Sequence, residues 1–279
     1  LATEVGADLV IATDPDCDRV GVAVRTLNGE YALLTGNQIG GMLTNYIIES
    51  LKEKNELKSN STLIKTIVTS EFGADIAKAN NIEVLNVLTG FKFIGEKIKS
   101  FEENNEKTYL FGYEESYGSL IKPFVRDKDA PQACLMLAEA ACYYKEKGKT
   151  LVDVLYDLYA ELGYYEESQT SLKLAGQEGA ARIQEILATL RTSDVEDING
   201  VKVTRFEDYK ECRIVEDGKE SELTGFTKSD VLKYYLEDGS WIAIRPSGTE
   251  PKCKFYFSIK GVDANNAASK TEVFQKDMM

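Results

Sequence analysis

The chain has 279 residues, of which 43% are hydrophobic and 28% charged, proportions typical of a globular protein of about two domains. A formal net charge of −13 without a Lys/Arg-rich stripe argues against a nucleic-acid partner, and no apolar run is long enough for a membrane span. The absence of histidine excludes imidazole acid–base catalysis, Ser-His-Asp triads and His-ligated zinc.

The cysteines and the first residues bear on the cellular location of the protein. Five cysteines without a CxxC pair are typical of a reducing compartment, so we expect a cytoplasmic protein that contacts no membrane. We also expect no secretory signal, because residues 1–6 contain no basic stretch followed by an apolar core. The missing initiator Met leads us to expect that the chain is part of a longer protein.

The first motif is an acidic loop, residues 13–19, between the apolar runs 7–12 and 20–24. Three carboxylates in one turn repel one another unless a cation lies among them, and hard oxygen ligands favour Mg²⁺ over a transition metal. The loop therefore predicts a magnesium site, with a solvated acidic turn as the alternative. The predicted ligands are Asp14, Asp16 and Asp18.

Two other chemistries begin with similar acids. An EF-hand is excluded, because with Asp14 first its glycine would fall on Arg19 and its bidentate Glu on Arg25. A metal-dependent phosphatase could use Asp14 as nucleophile with Asp16 beside it, but its further Ser/Thr and Lys motifs cannot be placed in this sequence.

Residues 1–58 predict the last part of a domain. Residues 31–34 are typical of a strand, and Asn37 is placed to cap a helix with apolar residues at helical spacing. Strand 9–12 and its neighbours are too few to bury both faces of a parallel sheet, so the domain looks incomplete. The polar segment 53–61 predicts a linker.

Residues 59–168 predict a complete α/β domain, because strands and helices alternate. The predicted strands are 64–68, 84–87 and 109–112, and the predicted helices are 72–79, 94–101, 131–147 and 151–162. Residues 169–279 predict a smaller α+β domain. Its predicted elements are a strand near 170, a helix around 183–190, strands 201–206, 213–215, 231–236, 241–244 and 254–259, and a helix after 263.

Three further loops carry polar residues suited to a ligand. Residues 89–92 lie between a strand and a helix, where free backbone amides and the helix dipole favour anions. An ordinary strand-to-helix turn would have a similar sequence. The glutamate loop, residues 112–118, follows a strand end, and its acids beside a hydroxyl suit sugar hydroxyls, although an exposed polar loop would look similar.

The third of these, the RPSG loop of residues 245–252, is the most specific. It combines a glycine for close backbone approach with two hydroxyls and two cations, which fits a phosphate group. A Pro/Gly turn between strands would explain the glycine and the prolines but not the hydroxyls and cations.

Together with Arg-Asp-Lys-Asp at 126–129, these motifs, in this order, resemble the α-D-phosphohexomutase family over essentially the whole chain. The glutamate loop is most similar to the phosphoglucomutase branch. The resemblance implies an α/β fold of four domains around one cleft. This chain would contain part of the second domain, the complete third, and the smaller α+β fourth.

The resemblance also implies roles for individual residues. The magnesium ligands would be Asp14, Asp16 and Asp18. The residues near the transferring phosphoryl group would be Arg19 and Lys128. The residues at the sugar would be Thr89, Gly90, Lys92, Glu114 and Ser116. The residues at the distant phosphate would be Arg245, Ser247, Gly248 and Thr249.

The sequence departs from the family in two ways. Cys17 stands where the family has a small residue, and we expect its soft thiol to point away from Mg²⁺. The family carries the phosphoryl group on a serine in a Ser-His-Asn-Pro-type loop, which a chain without histidine lacks. We therefore expect the chain alone to be inactive.

The implied reaction interconverts hexose 1-phosphate and 6-phosphate, with Mg²⁺ as cofactor and glucose 1,6-bisphosphate as activator. The substrate class is a hexose phosphate, and glucose is favoured over mannose or pentose phosphates. A sugar-phosphate binding module without catalysis is the alternative. The sequence does not determine the oligomeric state.

Overall fold

A computed structural model describes residues 1–247 and 251–277. The chain forms two compact units, Leu1–Leu162 and Gly163–Met279. The elements of the first unit are α1 (Ala2–Val5), β1 (Leu9–Thr13), β2 (Val20–Arg25), β3 (Tyr31–Leu34), α2 (Gly36–Glu53), β4 (Ser61–Thr66), α3 (Phe72–Ala79), β5 (Glu83–Val87), α4 (Phe91–Asn104), β6 (Thr108–Tyr113), β7 (Ser119–Leu120), α5 (Ala130–Glu146) and α6 (Leu151–Leu162).

The first three strands form a small antiparallel sheet in the order β1-β2-β3. Alternate residues of β2, namely Val20, Val22 and Val24, are buried. Our expectation of a parallel sheet here is wrong, since β1 and β2 are joined only by the short acidic loop. Such a connection makes a hairpin, whereas parallel strands need a long crossover.

The second sheet has the order β5-β4-β6-β7, with β4 parallel to both β5 and β6. The predicted α/β alternation is confirmed. Helix α4 covers this sheet with one apolar face. The residues of that core are Ile64, Val87, Phe91, Ile94, Ile98, Phe101 and Leu120.

Two local predictions in this unit are wrong. Thr35, not Asn37, caps α2, because its side chain and that of Gln38 form a reciprocal capping box. The Asn37 amide oxygen instead accepts the backbone N–H of Ser70, at 3.0 Å. Strand β4 ends at Thr66 rather than at residue 68, and the chain then turns into α3.

The second unit is an α+β fold, as predicted. Its elements are β8 (Tyr164–Lys173), α7 (Gly176–Thr192), β9 (Asp197–Ile198), β10 (Val201–Asp208), β11 (Arg213–Glu216), β12 (Lys219–Glu222), β13 (Leu232–Leu236), β14 (Trp241–Pro246), β15 (Lys252–Gly261) and α8 (Ala264–Asp277). The main sheet has the antiparallel order β12-β11-β10-β13-β14-β15-β8, and β9 pairs with β10.

One face of this sheet is covered by helices. Ile183 and Leu187 of α7 and Phe274 of α8 join the same buried cluster as apolar side chains of the central strands. Strand β12 was not predicted, because all four of its residues are exposed and show no apolar alternation. Within residues 1–247 and 251–277, no helix has the length and apolar character needed to cross a membrane. The domain boundaries drawn after residues 58 and 168 stay predictions.

Candidate active site

The acidic loop forms the turn of the β1–β2 hairpin. The backbone N–H of Cys17 donates to the carbonyl of Asp14 at 3.0 Å, and Cys17 takes a left-handed conformation with φ of 55°. This tight turn gathers its acids, so that one carboxylate oxygen from each of Asp14, Asp16 and Asp18 lies within 4.8 Å of the other two. The sequence-predicted ligands are therefore brought together.

Asp14 is held by the backbone of its own loop. Its Oδ1 accepts the N–H groups of Asp18, at 3.1 Å, and Arg19, at 3.0 Å. The bond from Arg19 is the main cause that holds the pKa of the Asp14 carboxyl below its ordinary value. These bonds favour the ionised form of Asp14 and hold its carboxylate against the backbone of the loop.

Asp18 contacts Lys128, which lies at the end of the loop before α5. The Lys128 ammonium is 2.9 Å from Asp18 Oδ2 and 2.8 Å from Asp127 Oδ1. Burial opposes the charged form of Lys128, but the bonds to Asp127 and Asp18 outweigh it and raise the pKa of the ammonium. Lys128 is therefore a permanent cation at neutral pH.

The arrangement fits a divalent cation. Asp18 Oδ1 is buried and has no hydrogen-bond partner within the described part of the chain, so a ligand-binding lone pair is available. The nearest guanidinium, that of Arg19, is 3.8 Å from this oxygen and 3.9 Å from Asp14 Oδ2. Three hard carboxylate ligands of this kind could hold Mg²⁺.

Cys17 lies outside the cluster of carboxylates. Its side chain is exposed, and its Sγ lies 3.7 Å from Oγ1 of Thr13. The group of side chains that could share one ion contains the three acids and not this thiol.

The glutamate loop brings Glu114 to the segment 89–92. Glu114 is only 8% exposed, and its Oε1 accepts the backbone N–H of Gly90 at 3.0 Å. Gly90 is the N-cap of α4 and has φ of 118°, a conformation that glycine adopts without strain. Burial, and then repulsion from Glu115, raise the pKa of the Glu114 carboxyl.

The other residues predicted at the sugar lie around this contact. Thr89 precedes Gly90 and is half-buried, and Ser116 is half-buried in the glutamate loop. Lys92 is exposed on the first turn of α4, where its ammonium lies 4.7 Å from the centre of the Phe93 ring. Lys92 is therefore less closely built into the site than Glu114.

Backbone contacts join the acidic loop to the glutamate loop. Arg19 and Gly118 form an antiparallel β-bridge, and the N–H of Val20 donates to the Tyr117 carbonyl at 3.2 Å. Gly118 leaves room for Lys128, because a Cβ at this position would lie 2.2 Å from Cδ of Lys128 and would displace that side chain. The three acids, Lys128 and the glutamate loop thus form one assembly.

The RPSG loop belongs to the second unit. Arg245 is near the end of β14 opposite Lys254, and the N–H of Ser247 donates to the Lys252 carbonyl at 2.8 Å, which continues the β14–β15 pairing. The predicted phosphate ligands Gly248 and Thr249 lie outside the described residues.

Two side chains that contact the glutamate loop, those of Thr66 and Thr69, were not predicted from the sequence. Glu115 Oε2 lies 3.3 Å from the hydroxyl of Thr66 and 3.1 Å from that of Thr69. The two threonines stand near the end of an apolar strand, where their spacing carries no signal of a ligand site. Only the fold reveals that they face an acidic loop from another part of the chain.

Comparison with known proteins gives the family. Two domain models of the phosphoglucomutase/phosphomannomutase family match the chain, alpha/beta/alpha domain III over residues 35–162 and the C-terminal domain over residues 172–274. The chain belongs to the phosphoglucomutase/phosphomannomutase family. The resemblance to the α-D-phosphohexomutases and the α/β fold expected from it are confirmed.

Relatives in this family are similar over nearly the whole chain. A phosphoglucomutase of Staphylococcus aureus (strain MRSA252) is 40% identical over 271 residues, which are 97% of this chain and 48% of that protein. The chain therefore spans about half the length of the curated relatives it matches.

Solved structures show the same fold. Parafusin of Paramecium, described as a phosphoglucomutase, superposes with a TM-score of 0.65 at 19% identity and covers 96% of this chain and 44% of its own. A phosphoglucomutase/phosphomannomutase family protein of Burkholderia thailandensis gives 0.62 at 15% identity, covering 98% of this chain and 47% of its own. At these identities the likeness concerns the fold alone.

Proposed function

We propose that this chain supplies the metal ligands and the sugar-phosphate contacts of a phosphohexomutase that interconverts hexose 1-phosphate and 6-phosphate, with glucose as the favoured sugar. The observation that best supports the proposal is the backbone contact between the candidate metal site and the candidate sugar site. The Asp14–Asp16–Asp18 cluster, with Lys128 beside it, is bridged by Arg19 and Gly118 to the loop that carries Glu114. The 40% identity to a phosphoglucomutase favours glucose phosphates.

The acidic loop would hold Mg²⁺ through Asp14, Asp16 and Asp18. When bound, the ion would supply electrostatic stabilisation of the negative charge on a transferring phosphoryl group. Lys128 and Arg19 provide cations beside the same carboxylates. Because the pKa of Lys128 is raised, its ammonium acts as a hydrogen-bond donor and a charge partner to phosphoryl oxygens rather than as a base.

Glu114 and Ser116 would bind hydroxyl groups of the sugar ring. A carboxylate accepts hydrogen bonds from hydroxyls, and Glu114 is already fixed by the Gly90 N–H. A mutase must accept the sugar in two opposite orientations, so its sugar contacts are expected at the middle of the ligand. Thr89, Gly90 and Lys92 would be further contacts of the sugar. The phosphate that does not react would be bound by Arg245, Ser247, Gly248 and Thr249.

The reaction also needs a phosphoserine, and the loop that would carry it requires a histidine that this chain lacks. The chain alone is therefore proposed to bind substrate without turning it over, with glucose 1,6-bisphosphate acting as activator only of the complete enzyme. We propose a cytoplasmic location, with hexose phosphates rather than nucleic acid or membrane as the partners.

Calorimetry on the purified chain tests this proposal. With Mg²⁺ present, glucose 1-phosphate should bind more tightly than mannose 1-phosphate or ribose 1-phosphate, and Glu114→Gln should weaken it. A coupled assay for glucose 6-phosphate, with glucose 1,6-bisphosphate supplied, should stay at background. Absence of any sugar-phosphate binding would contradict the proposed function. Turnover by the chain alone would contradict the proposal that the phosphoserine needed for catalysis is not part of this chain.

A further inference from the structure

The two adjacent glutamates of the glutamate loop have different partners. Glu114 bonds to the N–H of Gly90 ahead of α4, whereas Glu115 contacts the hydroxyls of Thr66 and Thr69 near the end of β4. Both threonines are fully buried, and their hydroxyls lie 2.7 Å from each other. The Glu115 carboxylate is therefore an anchor inside the domain.

The threonines are themselves fixed by the turn that follows β4. The N–H of Thr69 donates to the Thr66 carbonyl at 3.1 Å, which closes the turn. The ammonium of Lys65, fully buried, donates to the Thr69 carbonyl and to Glu71 Oε1, each at 2.9 Å. A buried cation with such partners is costly to displace, so the turn is a rigid support.

Helix α2 holds the same region from another side. Asn37 accepts the N–H of Ser70 from the turn. Gly36 lies so close to the glutamate loop that a Cβ there would be 2.2 Å from the carbonyl oxygen of Glu115. The backbone of Glu115 is thus enclosed between α2 and the end of β4, while the N–H of Glu114 donates to Gly118 at 2.9 Å and closes the loop.

We propose that Glu115 is a positioning residue, which fixes the loop through Thr66 and Thr69 so that Glu114 faces the bound sugar. Hydrogen bonds from hydroxyls to a carboxylate are stronger than bonds between neutral groups. Glu114 directly precedes Glu115 in the chain. Anchoring Glu115 therefore restricts the direction in which the Glu114 carboxylate can point. The proposal rests on the proposed function in naming the sugar, but the anchoring itself is a property of the fold.

Hydrogen exchange measured by NMR on the full chain tests the anchoring without any ligand. Glu115→Ala should raise exchange at the amides of Gly90 and Glu114 by about tenfold or more, because loop opening becomes easier. Glu115→Gln keeps an acceptor oxygen and should restore most of the protection. Thr69→Val removes one hydroxyl at nearly constant shape, so it should give a smaller rise at the same amides. Glu103→Ala, at an exposed residue of α4, is the control and should change neither amide.

Two exchange results would overturn the proposal. One is unchanged exchange at Gly90 in both Glu115→Ala and Thr69→Val. The other is an equal rise at Gly90 and at Leu63 inside β4, since that would show general destabilisation of the domain rather than release of one loop.

A ligand arm separates the anchoring from the function. Glu115→Ala should weaken glucose 1-phosphate by about tenfold but leave inorganic phosphate, which has no hydroxyls for Glu114, within about twofold. An equal loss for both ligands would contradict the positioning role. If the unaltered chain bound no glucose 1-phosphate, the proposed function would fail, and the exchange data would still decide whether Glu115 anchors the loop.

Discussion

The ammonium of Lys128 lies 2.9 Å from Oδ2 of Asp18, so the candidate metal site contains a permanent positive charge beside one of its carboxylates. A cation bound by Asp18 would be repelled by that ammonium. Lys128→Met keeps the length of the side chain and removes the charge. We expect it to raise the affinity for Mn²⁺ or Mg²⁺ by about three- to tenfold at low salt, measured by calorimetry. A tenfold loss of affinity would instead show that Lys128 is needed to orient Asp18.

The three acids should be needed together for metal binding. Asp16 is the most exposed of them, so Asp16→Asn removes a charge with little effect on packing. We expect at least a tenfold loss of Mg²⁺ affinity in calorimetric titrations, because two carboxylates offset the dehydration of the ion poorly. Asp157→Asn is a matched control at an exposed ion pair with Lys149. Equal affinities in the parent and Asp16→Asn would contradict the assignment.

The raised pKa of Glu114 predicts a pH dependence of stability. In the folded chain this carboxyl binds its proton more tightly than at the usual value of 4.5. The stability that it contributes is therefore greatest below that value and falls as pH rises through the folded pKa. Glu114→Gln keeps an oxygen for the Gly90 N–H but does not titrate. Urea unfolding in a metal-free pH series should show the parent losing stability relative to Glu114→Gln as pH rises. A constant difference between the two would contradict the shift.

The RPSG loop should distinguish phosphorylated from free sugars. Arg245 can donate two parallel hydrogen bonds to a phosphate. Because bonds of that kind are strong, we expect Arg245→Ala to lower the affinity for a sugar phosphate by about ten- to a hundredfold. Calorimetry should show this loss for glucose 1-phosphate and hardly any change for glucose. Arg245→Lys keeps the charge without the fork and should recover part of the affinity. Equal weakening of both ligands would show that Arg245 is structural.

Much of the secondary structure could be predicted from the sequence, because it depends on residues that are close together in the chain. Helices α3 and α6 occupy the predicted residues, since their apolar spacing and flanking residues leave little choice. The acids of the acidic loop could be grouped for the same reason, as they lie within one turn. By contrast, we expected a parallel sheet around β1, although the short acidic loop between β1 and β2 is a hairpin connection and the two strands pair antiparallel.

What could not be predicted depends on contacts between distant parts of the chain. Thr35 and Asn37 are both suitable caps, and only the position of the Ser70 N–H decides that Asn37 serves the turn after β4. Strand β4 ends at Thr66, where the Thr69 N–H closes a turn on the Thr66 carbonyl and both hydroxyls contact Glu115, a residue far along the chain. Strand β12 has no apolar residue to mark it and exists through its pairing with β11.

The bridge between Arg19 and Gly118 joins the backbone of the acidic loop to that of the glutamate loop, and this would have a thermodynamic consequence if both loops bind ligands. If a bound cation drew Asp14 and Asp18 together, the backbone of Arg19 would shift with them, and so would Gly118, which pairs with Arg19 and accepts the N–H of Glu114. Linkage then requires reciprocity: the factor by which a metal ion changes the affinity for a sugar must equal the factor by which the sugar changes the affinity for the metal. Occupancy of either loop would thereby be reported at the other, even without contact between the two ligands.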